Sequence, residues 1–193
     1  DEEKRITAIH ESGHAIVSHF LPNADPVHKV SIVSRGTALG YTWNLPHEEK
    51  HLETKAKFED QIASLLAGRA AEENVFGPEK ITTGAQNDLK RATLLARKMV
   101  VEYGMSEKLG PQTYGHKEEM PFLGKDFAEN RNYSEEIASL IDKEISEIIR
   151  KSKVKATEII EKHKKPLLAL SEKLLKEETV TADSFEAIIE ADK

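Results

Sequence analysis

The chain has 193 residues, enough for one domain of ordinary size with its own core. Its formal net charge is -6, from 28 Lys and Arg against 34 Asp and Glu, and both signs are interspersed along the sequence. This balance argues against nucleic acid or an anionic membrane surface as the main partner. Because cysteine is absent, disulfides and thiolate metal sites are excluded, and any transition metal must be held by histidine and carboxylate.

Three further patterns are missing from the sequence. No apolar run approaches the roughly 20 residues that span a bilayer, and no charged-then-apolar leader precedes Asp1. We therefore expect the chain as given to be soluble, without membrane contact of its own. No GxxxxGK[ST] phosphate-binding loop occurs, and the first motif begins at residue 10, so we expect Asp1 to be a cut end.

The predicted elements begin with a helix over residues 1–21. Acidic residues crowd its start, apolar residues recur at helical spacing, and Pro22 stops it. Gly13 inside this helix indicates either close approach by a neighbouring backbone or simple tolerance of glycine. Short β-branched runs over residues 27–45, on either side of Arg35-Gly36, predict a small hairpin or edge-strand region.

The rest of the chain is predicted to be helical apart from one loop. The predicted helices cover 54–76 before Gly77, the stretch after Gly84 up to 103, a long helix from its cap Ser134 to Pro166, then 167–176, and finally 182–190 behind its cap Thr181. Residues 109–132 are rich in Gly, Pro and polar groups and predict a long loop.

A zinc-binding pattern lies in the first predicted helix, where residues 10–14 read HESGH and match HExxH. Residues four apart share a helix face with Cβ atoms about 5–6 Å apart, so His10 and His14 can reach one ion at about 2.0–2.1 Å. Glu11 projects to one side, where it can contact a zinc-bound water without being a ligand. A chance match is the alternative, but the helical context, the apolar surroundings and the absence of cysteine favour a metal site.

A catalytic zinc usually takes three protein ligands, so a third must be found. The extended HExxHxxGxxH form would need glycine and histidine at positions that hold Val17 and Phe20. His19 is five residues beyond His14 and therefore rotated by about 140° around the helix, so we interpret it as a surface histidine. Solvated roles are predicted for the remaining histidines, His28, His47, His51, His116 and His163.

Three carboxylates compete for the third position. Asp88 continues an apolar stripe formed by Ala92, Leu95 and Met99, and a carboxylate that faces a core is costly unless it is paired or bound to a metal. Its alternative role is to bond free N–H groups at a helix start. Glu72 and Glu73, near the end of the second helix, could each be a ligand, an acceptor for an imidazole N–H, or an exposed residue.

Together these motifs resemble the peptidase domain of the FtsH family, membrane-anchored ATP-dependent zinc metalloproteases. The segments that carry the resemblance are HESGH (10–14), PVHKV (26–30), ALGYT (38–42), GRAAEE (68–73), TTGAQND (82–88) and YGMSEKLGP (103–111). They run along essentially the whole chain, and their combination is highly specific.

The resemblance implies that Asp88, which matches the aspartate of the family's TTGAxND motif, is the third ligand of one zinc ion per chain. Glu72 then supports a ligand from outside the coordination sphere. Ser12 stands where the family commonly has alanine, at a position that is not a ligand. The implied fold is a mainly α zinc-peptidase domain over residues 1–193, with a catalytic part (1–110), a loop (111–132) and a C-terminal helical extension (133–193).

The resemblance also has implications for the intact protein. It implies a homo-oligomer, expected to be a hexameric ring, with an ATPase module and transmembrane anchors before Asp1. ATP would be used only by that module, which this chain lacks. Substrates are expected to be unfolded polypeptides and membrane proteins, and the intact protein is expected in the bacterial inner membrane with this domain on the cytoplasmic side.

The resulting hypothesis is hydrolysis of peptide bonds by a zinc-activated water, with Glu11 as general base. The substrate is expected to enter extended and to pair with the strand formed by Leu39, Gly40, Tyr41 and Thr42. The strand's alternative role is to pack over the zinc helix. A helical oligomerisation or docking module without catalysis also remains open, supported by the apolar stripe over 137–160 and by Leu167, Leu170 and Leu174. Hydrolysis of a non-peptide amide would use the same residues.

Overall fold

The computed structural model describes residues 2–33, 40–44, 52–115 and 132–192. The helices are α1 (Glu2–Phe20), α2 (Lys55–Phe76), α3 (Gln86–Val101), α4 (Glu135–Lys162), α5 (Lys164–Glu177) and α6 (Ala182–Glu190). The strands are β1 (Val27–Ser31), β2 (Tyr41–Asn44) and β3 (Thr179–Thr181). The prediction of a mainly α fold with a small strand region is confirmed. None of the helices in these ranges combines the length and the apolar character that crossing a bilayer requires.

Helix α1, which carries the HExxH pattern, lies in the centre of the fold. Ile9, Ile16 and Val17 are buried in a core shared with α2, α4, α5, α6, β1 and β3. A Cβ atom at Gly13 would lie 2.6 Å from the carbonyl oxygen of Ala67 on α2. The glycine is therefore required by the close approach of α1 and α2, which confirms the first of its two interpretations.

The helix ends follow local signals in most places. The side chains of Thr54 and Ser134 accept hydrogen bonds from the first turns of α2 and α4, and α2 ends at Phe76, just before Gly77, as predicted. The expected stop at Pro166 is wrong, because α4 ends at Lys162 and Pro166 lies in the first turn of α5. A proline is tolerated there because the first N–H groups of a helix have no partner within it.

The described strands form an antiparallel sheet in the order β2-β1-β3, with Val30 of β1 opposite Thr42 on one side and Val180 on the other. The predicted hairpin partners are therefore confirmed. Strand β3 was not predicted, because three residues before a helix are too few to produce an alternating pattern. Its last residue, Thr181, occupies the predicted N-cap position of α6 but makes no side-chain capping bond.

The C-terminal helices pack against the rest of the chain. Ile141 and Ile160 of α4 are buried, and so are Leu167, Leu170 and Leu174 of α5. The apolar stripe that supported a docking module therefore faces this chain's own core. Residues 109–115 of the predicted loop form neither helix nor strand, whereas 116–131 lie outside the described residues, as do Arg35, Gly36 and Leu39.

Candidate metal centre

His10 and His14 lie one turn apart on α1, and their Nε2 atoms are 3.1 Å apart. The two rings meet edge to face, with centroids 4.7 Å apart. The HExxH spacing thus brings two nitrogen donors to one point, as a helix with 3.6 residues per turn requires.

The opposite nitrogens of the two rings are engaged by α2. His14 Nδ1 lies 2.7 Å from the backbone oxygen of Ser64, and His10 Nδ1 lies 2.6 Å from Oε1 of Glu72. A carbonyl oxygen and a carboxylate can only accept, so each Nδ1 carries the hydrogen. In a neutral imidazole this leaves the lone pair on Nε2, which is the form that binds a metal.

Asp88 joins the histidines from the first turn of α3. Its Oδ2 lies 3.4 Å from the Nε2 atoms of both His10 and His14. The three donor atoms lie within 4.8 Å of one another, and among residues 2–33, 40–44, 52–115 and 132–192 no second group of this kind was found. The side chains of His10, His14 and Asp88 retain 10%, 13% and 18% of their exposure, so the group is reachable from outside.

Two carboxylates, Asp88 and Glu72, place negative charge beside the His10 ring. Burial alone would lower the pKa of His10, but hydrogen bonds with Asp88 and Glu72 outweigh burial and raise that pKa to about 9. Burial would raise the pKa of Asp88, yet its hydrogen bonds with the two imidazoles hold that pKa well below its usual range. A proton on His10 offsets part of the negative charge of Asp88 and Glu72 when no ion is bound, and a divalent cation held by two nitrogens and one oxygen would place positive charge at the same point. The donor set therefore fits zinc.

Glu72 is completely enclosed, with 1% of its surface exposed. Its Oε2 accepts hydrogen bonds from the backbone N–H and the hydroxyl of Thr82, at 2.9 and 3.0 Å. Burial would raise the pKa of Glu72, but the bonds from His10 and Thr82 lower it. Glu72 thus contacts the far side of His10 and does not join the three converging donors. The competing Glu73 pairs with Lys153, 2.7 Å away.

Glu11 faces the strand β2. Its Oε2 accepts a hydrogen bond from the hydroxyl of Thr42 at 2.9 Å. Gly40 lies against the same carboxylate, since a Cβ there would be 2.9 Å from Glu11 Oε1. Of the predicted substrate strand, Gly40, Tyr41 and Thr42 thus lie beside the metal centre, and Leu39 lies outside the described residues.

The other described histidines lie away from the three donors. His19 is partly buried between aromatic rings and faces Glu186 at 3.5 Å. His28 is exposed and contacts Trp43 edge to face, whereas His163 is partly buried and stacks on Phe20. His47, His51 and His116 lie outside the described residues.

An open cleft of about 1530 Å³ runs past the three donors between α1, α2, α3 and β2. Its walls include the exposed side chains of Trp43 on β2 and Leu94 on α3. The cleft is large enough for an extended chain, and it brings the metal donors, Glu11 and the strand β2 into one continuous space.

The sequence model of Peptidase family M41 matches residues 1–188. The chain belongs to this family. The prediction of a peptidase domain is therefore confirmed, and so is the resemblance of the motifs to FtsH.

Relatives of this M41 chain support the same assignment. The ATP-dependent zinc metalloprotease FtsH 1 of Conexibacter woesei is 51% identical over 98% of the chain and 29% of its own length. The FtsH zinc metalloproteases of Pseudothermotoga lettingae and Thermotoga maritima are 52% and 50% identical over 98% and 97% of the chain. The chain spans 29%, 30% and 31% of the lengths of these three relatives.

Several contacts around His10 and His14 were not predicted from the sequence. The bond of Ser64 to His14 uses a backbone oxygen, which leaves no trace in residue type. Gly68 leaves room for His10, because a Cβ there would lie 2.5 Å from the imidazole ring. Gly68 and Thr82 lie in the segments GRAAEE and TTGAQND, which carried the family resemblance. The sequence does not show that Gly68 contacts His10 or that Thr82 binds Glu72.

Proposed function

We propose that this M41 chain is a zinc-dependent endopeptidase domain that cleaves unfolded polypeptides. The observation that carries the proposal is the convergence of His10 Nε2, His14 Nε2 and Asp88 Oδ2, with both Nδ1 atoms already engaged by acceptors. Two neutral imidazoles and one carboxylate form the ligand set of a catalytic zinc site, and they leave a position open for water or substrate.

His10, His14 and Asp88 would hold one zinc ion per chain. When bound, the ion would supply Lewis-acid chemistry, activating a water and polarising the scissile carbonyl. Glu72 would keep the His10 ring oriented through its hydrogen bond to Nδ1, and the Ser64 carbonyl would do the same for His14. These outer partners lie on α2, so the packing of α1 against α2 aligns the ligands.

Glu11 is the proposed general base. It lies next to His10 on the motif helix, and only 6% of the residue is exposed. Its carboxylate would accept a proton from the attacking water and pass it to the leaving amine, so that no covalent intermediate with the protein is required.

The proposed substrate site is the edge of β2. This strand has one neighbour, β1, in the described sheet and borders the cleft. An extended peptide can pair with the backbone of such an edge, which grips many sequences with little demand on side chains. That mode of binding suits a degradative enzyme.

The finer features proposed for the intact protein rest on the family resemblance of its motifs. We infer that the chain acts within an ATP-dependent protease, in which a separate ATPase module unfolds substrates and uses the ATP. A hexameric ring, membrane-protein substrates and a place at the cytoplasmic side of the bacterial inner membrane belong to this proposal. So does the division into a catalytic part (1–110), a loop (111–132) and a C-terminal helical part (133–193).

The function is tested with Glu11→Gln and a short unstructured fluorogenic peptide, which needs no unfolding. The variant should keep about one zinc per chain by elemental analysis and lose cleavage, since glutamine cannot take the proton. Glu161→Gln, an exposed change on α4, is the matched control and should cleave like the wild type. Retained cleavage by Glu11→Gln would eliminate the proposed base, and a zinc-free wild type would eliminate the enzyme in favour of a docking module.

A further inference from the structure

The carboxylate of Glu11 rests on strand β2. The hydroxyl of Thr42 lies 2.9 Å from Glu11 Oε2 and 3.2 Å from the backbone oxygen of the same residue. A hydroxyl has one hydrogen to donate, and the carboxylate oxygen is the nearer of the two acceptors. Thr42 therefore holds one oxygen of Glu11.

A second contact involves the other oxygen. A Cβ atom at Gly40 would lie 2.8 Å from Glu11 Cγ and 2.9 Å from Oε1, closer than real side chains approach. The absence of a side chain at Gly40 thus allows the Glu11 carboxylate to lie in close contact with the backbone just before β2. Gly40 and Thr42 together form a contact surface for the Glu11 carboxylate. The Gly40 backbone lies beside Oε1, and the Thr42 hydroxyl donates a hydrogen bond to Oε2.

The sheet holds this contact surface in place. Thr42 pairs with Val30 of β1, a fully buried residue, and β1 in turn pairs with β3. Successive side chains of a strand point to opposite faces, so Thr42 faces α1 while Trp43 faces away, against His28. The hydroxyl therefore comes from a strand held in register by its neighbour.

We infer that Thr42 is a positioning residue for Glu11, and this inference rests on the proposed function. Its hydroxyl holds the carboxylate in the orientation in which the other oxygen can meet the attacking water. The strand that would pair with the peptide also holds the general base. Binding of a peptide along β2 and the placing of the base thus depend on the same four residues, Tyr41–Asn44, with Gly40 before them.

A purely structural role for Thr42 makes different predictions. If the hydroxyl only ties β2 to α1, its removal lowers stability and weakens peptide binding, and the rate of the bound complex is unchanged. A positioning role lowers kcat and leaves KM and zinc content unchanged, because the lost interaction acts on the reacting groups and not on substrate affinity.

The test compares Thr42→Val with Thr42→Ser in the zinc-loaded chain acting on the short peptide. Valine keeps the shape and removes the hydroxyl, and we expect kcat to fall about 10- to 100-fold, the range that holds for residues supporting a catalytic group. Serine keeps the hydroxyl and should restore most of the rate. Thr157→Val on α4, whose hydroxyl donates to the backbone oxygen of Lys153 in the same helix, is the matched control.

A second readout does not depend on activity. In the zinc-free chain labelled with 13C-glutamate, the side-chain carboxyl resonance of Glu11 is assigned by its loss in Glu11→Gln. It should move in Thr42→Val and stay in place in Thr42→Ser. Thr42→Ala provides a second hydroxyl deletion, without a new methyl group, if the valine variant unfolds.

The outcomes separate this inference from the proposed function. An unchanged kcat in both Thr42→Val and Thr42→Ala, or a Glu11 resonance that does not move, would overturn the positioning role and leave the proposed function intact. An equal loss of kcat in Thr42→Ser would overturn it as well. Cleavage by Glu11→Gln would remove the general base itself, whatever the Thr42 variants do.

Discussion

The two sides of the candidate metal centre are built in different ways. His10 and His14 are four residues apart on a buried helix, and each ring is fixed by an acceptor on α2. Asp88 reaches the same point from the start of α3, 78 residues after His10. The histidine side is thus determined by helical geometry and tight packing, whereas the carboxylate side depends on how α3 docks against α1 and α2.

The carboxylate side of the centre is tested by removing the side chain of Asp88. Asp88→Ala should lose stoichiometric zinc after dialysis and lose peptide cleavage, because two imidazoles alone do not complete the site. The metal-free fold should survive, since Asp88 is partly exposed. Elemental analysis and circular dichroism measure the two effects.

An exposed aspartate provides the control for that change. Asp142→Ala on α4 should keep both zinc and activity. Full zinc occupancy in Asp88→Ala would mean that the third ligand lies elsewhere, with Glu72 the next candidate.

The histidine side is tested by weakening the hydrogen bond between His10 and Glu72. Glu72→Gln keeps the size of the side chain, but its amide group places donors against the donors of Thr82 and gives a weaker acceptor for His10. Zinc affinity, measured by competition with a chelator, should fall about 10- to 100-fold. Glu73→Gln, at a partly exposed pair with Lys153, should leave the affinity unchanged, and an equal loss in both variants would contradict a specific role for Glu72.

The packing behind His10 is tested by adding one methyl group. In Gly68→Ala the new Cβ would lie 2.5 Å from the His10 ring, so the ring must move. We expect a loss of about 1–3 kcal/mol in the free energy of unfolding, together with weaker zinc binding. Gly84→Ala meets only the hydroxyl of Thr82, at 3.2 Å, and should change both quantities less. Unaltered zinc affinity in Gly68→Ala would show that the ring tolerates movement.

The smallest expected effect is an increase in the free energy of unfolding. Ser12 is fully buried between the motif residues, and its hydroxyl has no hydrogen-bond partner in the described part of the chain. Ser12→Ala should raise the free energy of unfolding by about 1 kcal/mol, because an unsatisfied polar group no longer has to be buried. Ser18→Ala, which removes a bond of 2.6 Å to Ser64, should lower it instead, and thermal or urea unfolding distinguishes the two signs.

The same contrast explains what the sequence could predict. Spacing of three and four residues identified the helices and the histidine pair, because those signals depend on neighbours along the chain. The apolar stripe that includes Asp88 left it tied with Glu72 and Glu73, since no local pattern reports which carboxylate reaches α1. The family resemblance implied Asp88, and in the structure its carboxylate lies 3.4 Å from the Nε2 atoms of both histidines.

Other features depended on contacts that a sequence does not encode locally. The strand β3 is only three residues long and is recognisable only by its pairing with β1. The bond between Thr42 and Glu11 joins residues 31 positions apart, and neither residue type indicates the other. The expected stop at Pro166 failed because proline marks a helix start as readily as a helix end.

The most direct test of the central claim is a crystal structure of the zinc-loaded chain with anomalous data at the zinc edge. The account predicts one strong peak per chain, about 2.0–2.2 Å from the Nε2 atoms of His10 and His14 and from a carboxylate oxygen of Asp88. A full-occupancy peak bound at other residues, with these three side chains free of metal, would contradict it.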